Sequence, residues 1–529
     1  MTAARRLHPS LPAIAFVTWW IVAAIVFPER MLNADGDMLR HITHGSWMLE
    51  HGRLITADPF SYTRGGEPFV AFEYGSQLFY ALAFRFGGLA GVAIAAGLLI
   101  AASYALISSF LLSRKADALL GYLCTVAAAV LGAVHWVPRP HLFTLLAVVA
   151  VLWLLEDDDS PEARPPVRRL ALTALLFAAW ANLHGGFVFA LILLALYCAG
   201  SLLEMLIAAA PERGLWRARA SRYAALGATG LAASLLTPHG IRLHQHIFGL
   251  LGNSYLLANT QEFQSPDFQS TVGKLFLAGL LVVVAALALA PARPDWRRLL
   301  LFLVMIYFAM NARRNIQLFG ATVFPILALH LDPWWRRMRA GRRIREIFNR
   351  DAAIGRTGPY VALVVAVALV LAAAHGRVAG ARIVPDGVSA GEFPVNVVRR
   401  ARADGVTGRI FHDFIWGGYL LQAWPEQKVF IDGGTDFYGG ELVATYLTIT
   451  EQGRGWRDSL ARWDVSLVLL PTGSGVLRSL AVEDGWGLRY CDRTATMLQR
   501  GAAPAAAPDA LAALKGCYDS LPPVRAAAR

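Results

Sequence analysis

Two aspartates separated by one glycine, Asp35-Gly-Asp37, stand directly after the first apolar run of the chain, and His41 and His44 follow them. Carboxylates at this spacing can take a proton from a hydroxyl, grip a sugar hydroxyl, or flank a divalent cation such as Mg or Mn. They can also do less. Aspartate is a favoured N-cap, and a helix starting near Asp37 would use one of them that way. His41 and His44 are one helical turn apart and would share a face with Asp37. No cysteine and no HExxH pattern accompanies them, which argues against zinc. Glu73, between Phe72 and Tyr74, is either a site carboxylate or a surface charge.

Further polar clusters interrupt the apolar runs: Arg139-Pro-His141, Asn182-Leu-His184-Gly-Gly, Gln261-Glu262 with Asp267, and Asn311-Ala-Arg313-Arg314-Asn315. A guanidinium fork pairs bidentately with phosphate oxygens, so arginines 139, 313 and 314 suit an anionic partner. Arg139 could equally snorkel toward lipid headgroups, and Asn182 and His184 could simply bond neighbouring helices. No nucleophile elbow, P-loop, CxxC or haem motif is present, so the soluble-enzyme classes find no support. The polar groups sit at the ends of apolar runs instead of their middles, which speaks against an ion channel or a proton-coupled transporter.

These side chains need elements to hold them, and composition says which kind. Of 529 residues 56% are apolar and only 16% charged, against roughly 45–50% and about a quarter in soluble domains. The apolar residues collect in runs that predict spans near 11–28, 89–112, 117–137, 141–155, 169–182, 186–208, 222–237, 273–290, 298–311, 315–331 and 359–375. Arg5 and Arg6 before the first run, with no small-residue cleavage site after it, predict a retained anchor. With the N-terminus inside, the arginine-rich loops at 114–115, 164–169, 213–222, 293–298 and 334–356 all fall on the cytoplasmic side, as the positive-inside rule requires. The net charge of +12 therefore reports orientation and not a nucleic-acid partner. The acid run Asp157–Asp159 reads as a solvated loop.

Eleven spans put the clusters at residues 35–44, 73, 139–141, 182–186, 261–267 and 311–315 on the outer face. The expected architecture is an α-helical polytopic membrane protein with about eleven transmembrane helices and a C-terminal soluble α/β domain. Its parts are a multi-span domain, 1–376, with a long first periplasmic loop, 29–88; a periplasmic domain, 377–500; and a flexible tail, 501–529, entered through the Ala/Pro stretch 502–508. In the loop a helix over Asp37–His51 and an amphipathic helix over Ser76–Phe86 are expected. Strand-like runs Arg409–Phe414, Lys428–Ile431 and Ser466–Leu470 alternate with helical stretches and predict a mainly parallel sheet. Cys124 and Cys198 fall in apolar runs, whereas Cys491 and Cys517 stand where a disulfide can form.

Asp35-Gly-Asp37 behind the first span, the long first outer loop and the C-terminal domain on the same face resemble the GT-C superfamily of membrane glycosyltransferases. The segments Asp37–Ser61 and Phe411–Asp436, with Trp416-Gly-Gly-Tyr and Phe430-Ile-Asp-Gly-Gly-Thr-Asp, are similar to those of bacterial polytopic proteins grouped with such transferases. The resemblance implies an inner-membrane enzyme that moves a sugar from a polyprenyl-phosphate carrier to a glycan or lipid acceptor in the periplasm. It implies Asp37 as base with Asp35 beside it, and Arg139, Arg313 and Arg314 on the lipid phosphate. Glu73, His141 and His184 would line the substrate side, and a divalent cation, if used, would sit on Asp35 and Asp37. Asp432, Asp436 and Trp416 become candidates for holding the acceptor. The competing reading is a non-catalytic transport or envelope-assembly protein whose outer domain binds a partner.

Overall fold

The structure is a computed structural model describing residues 8–156, 165–483, 485–501 and 507–519. The acid run Asp157–Asp159, Arg164 and most of the Ala/Pro stretch lie outside the described residues. Two compact units emerge: the first holds Met1–Pro28 and Phe86–Val384, the second Glu29–Arg85 and Pro385–Arg529. The long first loop thus clusters with the C-terminal segment.

In chain order the main helices are α1 Leu11–Ile21, α2 Asp37–His51, α3 Tyr74–Ser113, α4 Ala118–Gly132, α5 His141–Leu155, α6 Val167–Leu183, α7 Phe187–Ile207 and α8 Ala210–Ala233. There follow α9 Ile241–Gly252, α10 Thr271–Leu289, α11 Trp296–Asn311, α12 Ile316–Arg337, α13 Arg342–Ile354 and α14 Gly358–Ala373. The C-terminal segment adds α15 Val395–Ala403, α16 Gly417–Ala423, α17 Thr435–Thr450, α18 Trp456–Arg462, α19 Gly475–Ala481 and α20 Ala507–Asp519.

Every run expected to span is a helix. Among the described residues five are long and apolar enough to cross a membrane: Tyr74–Ser113, Ala118–His135, Phe187–Ile207, Thr271–Leu289 and Arg313–Arg337. Leu11–Val26, α5 and α14 are apolar but shorter. The expected count of eleven exceeds this because α6 and α11, at 17 and 16 residues, are also short, and α8 carries Glu212 and four arginines. Helix α3 breaks at Gly87 and Gly88, where Gly88 takes φ 60° and ψ −154°, a region closed to residues with a Cβ. That break separates the expected amphipathic helix from the expected span.

In the first unit, α5 has charged clusters at both ends. Beyond its C-terminus, Glu156 pairs with Arg298 at 2.6 Å and accepts from the Tyr197 hydroxyl at 2.6 Å. Arg297, also buried, pairs with Asp295 at 2.9 Å. Arg139 and His141 stand at the other end, about 22 Å away along a 15-residue helix.

The second unit is built on a four-stranded sheet in the order β3-β4-β6-β5. The strands are β3 Ile410–His412, β4 Leu467–Pro471, β5 Trp486–Cys491 and β6 Ala495–Arg500; β1 Arg377–Val378 and β2 Ala381–Arg382 form a separate hairpin in the first unit. Only β3 and β4 run parallel, and β4/β6 and β6/β5 are antiparallel. The sheet is therefore mixed, not mainly parallel. The run Lys428–Ile431 is outside it because the first loop takes its backbone groups. Val429 exchanges hydrogen bonds with Phe60 and Tyr62, each at 3.1 Å, and the Thr63 hydroxyl donates to the Phe430 carbonyl at 2.6 Å. Cys491 and Cys517 are bridged, with Cα atoms 5.8 Å apart, tying α20 to β5.

Candidate functional site

In the second unit the chemistry gathers at the start of α2. Asp35 Oδ1 accepts the Asp37 amide at 2.9 Å, the local turn expected of an aspartate at a helix start. Asp37 itself keeps 19% of its side chain exposed and lies 3.9 Å from the Arg40 Nε. The same Nε lies 3.9 Å from Asp432 Oδ1, so one buried guanidinium stands between two carboxylates. Burial opposes the charge on Arg40, but Asp37, Asp432, Glu73 and Asp436 outweigh it and raise its affinity for the proton. Asp432 is only 4% exposed. Burial pushes its carboxyl up to about 6 against the pull of Arg40 and of the Gly434 amide, which donates to Oδ1 at 2.8 Å. The Tyr438 hydroxyl donates to Oδ2 at 3.2 Å.

Backbone approach sets this geometry. A Cβ on Gly433 would collide with the Asp37 carboxylate, and one on Gly418 with the Gly36 carbonyl of the α2 cap. The Gly-Gly pairs at 417–418 and 433–434 therefore let the C-terminal segment close on the start of α2, both within the second unit.

Glu73 is buried beside the histidines. Arg40 Nη2 lies 3.4 Å from His41 Nε2. Nδ1 faces Glu73 Oε2 at 3.9 Å and the Gln77 amide at 3.4 Å. His44 is a packing ring, stacked on Phe60 at 4.6 Å and edge-on to Phe69. Burial, then the Arg40 charge, holds it well below the usual histidine range and neutral. A cavity of about 10 Å³ lined by Arg40, His44, Glu73, Gln77, Asp432 and Tyr438 has room for a single water. Gln77 Oε1 and both His44 nitrogens, which lack protein partners, border it.

Among the described residues no group of three or more His, Cys, Asp and Glu could hold a metal ion. Asp35 Oδ1 is engaged with the Asp37 amide, and Asp37 lies beside the Arg40 guanidinium. Trp416, considered for the acceptor, is interior: it is 3% exposed and its indole donates to the Glu392 carbonyl at 2.9 Å.

The remaining candidates belong to the first unit, and most of them meet there. Arg139 forms an ion pair with Glu262, and His135 Nε2 lies 4.0 Å from the same carboxylate. Burial opposes ionisation of Glu262, but Arg139, His135 and Arg314 more than offset it and hold its carboxyl at about 2. The His141 ring donates to the His135 carbonyl at 2.8 Å, the two rings 4.2 Å apart. His184 Nδ1 receives the Gly186 amide at 3.1 Å and the Thr144 hydroxyl at 2.7 Å, while Thr144 accepts from the Trp180 indole at 2.8 Å. Two donors on Nδ1 leave the neutral ring proton on Nε2. Arg313 and Arg314 sit on the 3₁₀ turn before α12, Arg313 exposed and Arg314 over the Phe263 ring at 4.7 Å. Three guanidinium groups against one carboxylate leave this cluster positive.

No known family has a model that matches this chain, and no curated protein is similar to it in sequence. Solved structures are more informative. The oligosaccharyltransferase of Archaeoglobus fulgidus, in its apo crystal structure, matches with a TM-score of 0.51 over 94% of this chain and 74% of its own, at 13% identity. This chain shares the fold of that enzyme. ArnT from Cupriavidus metallidurans, crystallised with undecaprenyl phosphate, matches at 12% identity with a TM-score of 0.48, over 93% of this chain and 98% of its own. The resemblance drawn from the sequence is matched at the level of fold by the oligosaccharyltransferase structure.

Neither the pairing of Arg40 with Asp432 nor that of His135 and Arg139 with Glu262 was singled out by spacing. Arg40 had a signal, since Asp37 and Arg40 are i,i+3 neighbours on one helix. Glu262 had none, because its arginine is 123 residues away.

Proposed function

We propose that this chain is a membrane glycosyltransferase that moves a sugar from a polyprenyl-phosphate carrier to a hydroxyl-bearing acceptor outside the cytoplasm. The observation that carries the reading is Asp37: the partly exposed member of a carboxylate pair shared with a buried Arg40. Asp432 is enclosed, so Asp37 is the one that can meet a substrate.

The acceptor hydroxyl gives its proton to the Asp37 carboxylate as its oxygen bonds to the anomeric carbon. The bond from that carbon to the carrier phosphate breaks, and the phosphate leaves with the electron pair. Negative charge grows on the leaving phosphate, and preorganised cations stabilise it. Arg139, Arg313 and Arg314 supply them, with the Nε2 proton of His184 as a neutral donor. Arg40 holds Asp37 in place, and Glu73 positions the acceptor side through His41. The carrier is lipid-linked because the cations stand at the ends of helices long enough to cross a bilayer. The arginine bias of the loops supports the outer-face placement and a periplasmic C-terminal domain, and an inner-membrane setting is part of the same reading.

The test is transfer from a radiolabelled polyprenyl-phosphate sugar by the purified chain in proteoliposomes. Asp37→Asn should lower turnover by at least about 100-fold, the scale of a lost general base. Undiminished transfer by Asp37→Asn would remove the base.

A further inference from the structure

Eight arginines between Trp334 and Arg356 face only two carboxylates, Glu346 and Asp351. Most of that charge is carried by α13 and its approach, and the side chains of α13 divide into three faces. One holds the helix to its own unit. Asn349 donates to Asp117 Oδ2 at 2.7 Å and accepts from the Ala118 amide at 2.9 Å. Phe348 lies against Tyr122, ring centroids 6.3 Å apart, and the buried Arg345 sits over Trp335 at 5.7 Å. The second face is apolar and open: Ile344 and Ile347 are 54% and 50% exposed. The third carries the exposed Arg342, Arg343, Glu346 and Arg350. At 3.6 residues per turn the two isoleucines fall between Phe348 on one side and Arg343 on the other.

A helix held on one side, apolar on the next and cationic on the third fits a boundary between bilayer and water. Its place in the first unit agrees. Asp117 and Tyr122 belong to the start of α4, whereas the Arg139–Glu262 cluster adjoins His135 beyond the other end of α4. Arg337, Arg339 and Arg343 make no ion pair among the described residues, while Arg336, Arg342 and Arg350 have carboxylate partners. These three, with the exposed Arg356 beyond the helix, are the charges left for an anionic surface.

We propose that α13 lies in the headgroup layer of an anionic leaflet, with Ile344 and Ile347 at the acyl boundary and Arg337, Arg339 and Arg343 on lipid phosphates. This docking surface is independent of the transferase reading and lies at the end of α4 away from its phosphate cluster. It fixes the level of the bundle in the membrane and makes the protein sensitive to leaflet charge.

The test uses the full chain with Cys124 and Cys198 replaced by alanine, a single spin label at Ile347→Cys, and a control label at Glu346→Cys. Both are reconstituted in nanodiscs of phosphatidylethanolamine and phosphatidylglycerol. Collision with oxygen should exceed collision with a water-soluble nickel chelate several-fold at 347, and the order should reverse at 346. In phosphatidylcholine nanodiscs the label at 347 should become several-fold more accessible to nickel. Ile344→Cys serves as the second position if the first variant fails to fold. Nickel access at 347 equal to that at 346 overturns the proposal. So does protection from both reagents, which means a protein partner or second copy covers the face. Equal protection in both lipids overturns the need for anionic charge.

Discussion

Arg40 balances the charges of the second unit. It is buried with a carboxylate on either side, so removing it leaves Asp37 and Asp432 facing each other without a cation. Breaking a buried pair by deleting one partner is costly. Arg40→Met should therefore destabilise the protein by on the order of 3 kcal/mol, measured as a lowered melting temperature in detergent, with Arg40→Lys losing less. Asp432 makes a pH prediction. Its folded carboxyl titrates at about 6, while an unfolded aspartate titrates at about 3.9. Between these values the native state holds a proton that the unfolded state has released, so stability falls as pH rises through the window. Above about pH 6 the full penalty is present; below about pH 4 it is absent. Asp432→Asn cannot lose that proton. Its melting temperature relative to the wild type should rise from pH 4 to pH 6 and then level off. Parallel curves would show that Asp432 does not titrate there.

The elements were legible wherever the signal was local. Apolar runs located a helix at every expected span, five of them long and apolar enough to cross a membrane, because a long apolar stretch has few other uses. Asp37–His51 was legible from its acidic start and ends at Gly52, which takes the left-handed φ of 63°. What sequence could not give was pairing between distant segments. The run Lys428–Ile431 is β-prone, yet its partner is the turn at 60–63 and not the sheet. No periodicity predicts which edge a short strand will choose. The same limit hid the bond between Arg40 and Asp432, which depends on the glycine contacts at 418 and 433. Those contacts are testable. Gly433→Ala places a methyl group where the Asp37 carboxylate lies, so transfer should fall with little loss of carrier binding. Full activity in Gly433→Ala would mean that Asp37 need not hold this position. At the far edge of the sheet, Cys517→Ser releases α20 from β5. The expected result is faster proteolysis of the C-terminal helix, read by mass spectrometry, with transfer retained.

At the scale of the whole molecule the proposed machinery divides between the two units, and that division makes binding and turnover separable. The first unit holds the arginines assigned to the carrier phosphate, and the second holds the assigned base. An interaction with phosphate is made in the ground state and grows in the transition state, so its loss weakens binding and also slows reaction. A base acts only as the proton moves. Arg313→Gln with Arg314→Gln should therefore weaken binding of the polyprenyl-phosphate sugar about tenfold or more, on the scale of lost charged hydrogen bonds. Asp37→Asn should bind it as the wild type does and fail to turn it over. Equilibrium binding of a labelled carrier to the solubilised chain, beside single-turnover transfer, reads the two effects apart. Glu262 sharpens the comparison, since it neutralises part of the arginine cluster. Glu262→Gln removes that competing anion, so carrier binding should tighten, or at least not weaken, provided Arg139 keeps its place. Weaker carrier binding in Glu262→Gln, with binding unchanged in the double arginine variant, would mean that these arginines serve Glu262 alone and that the carrier phosphate is held elsewhere.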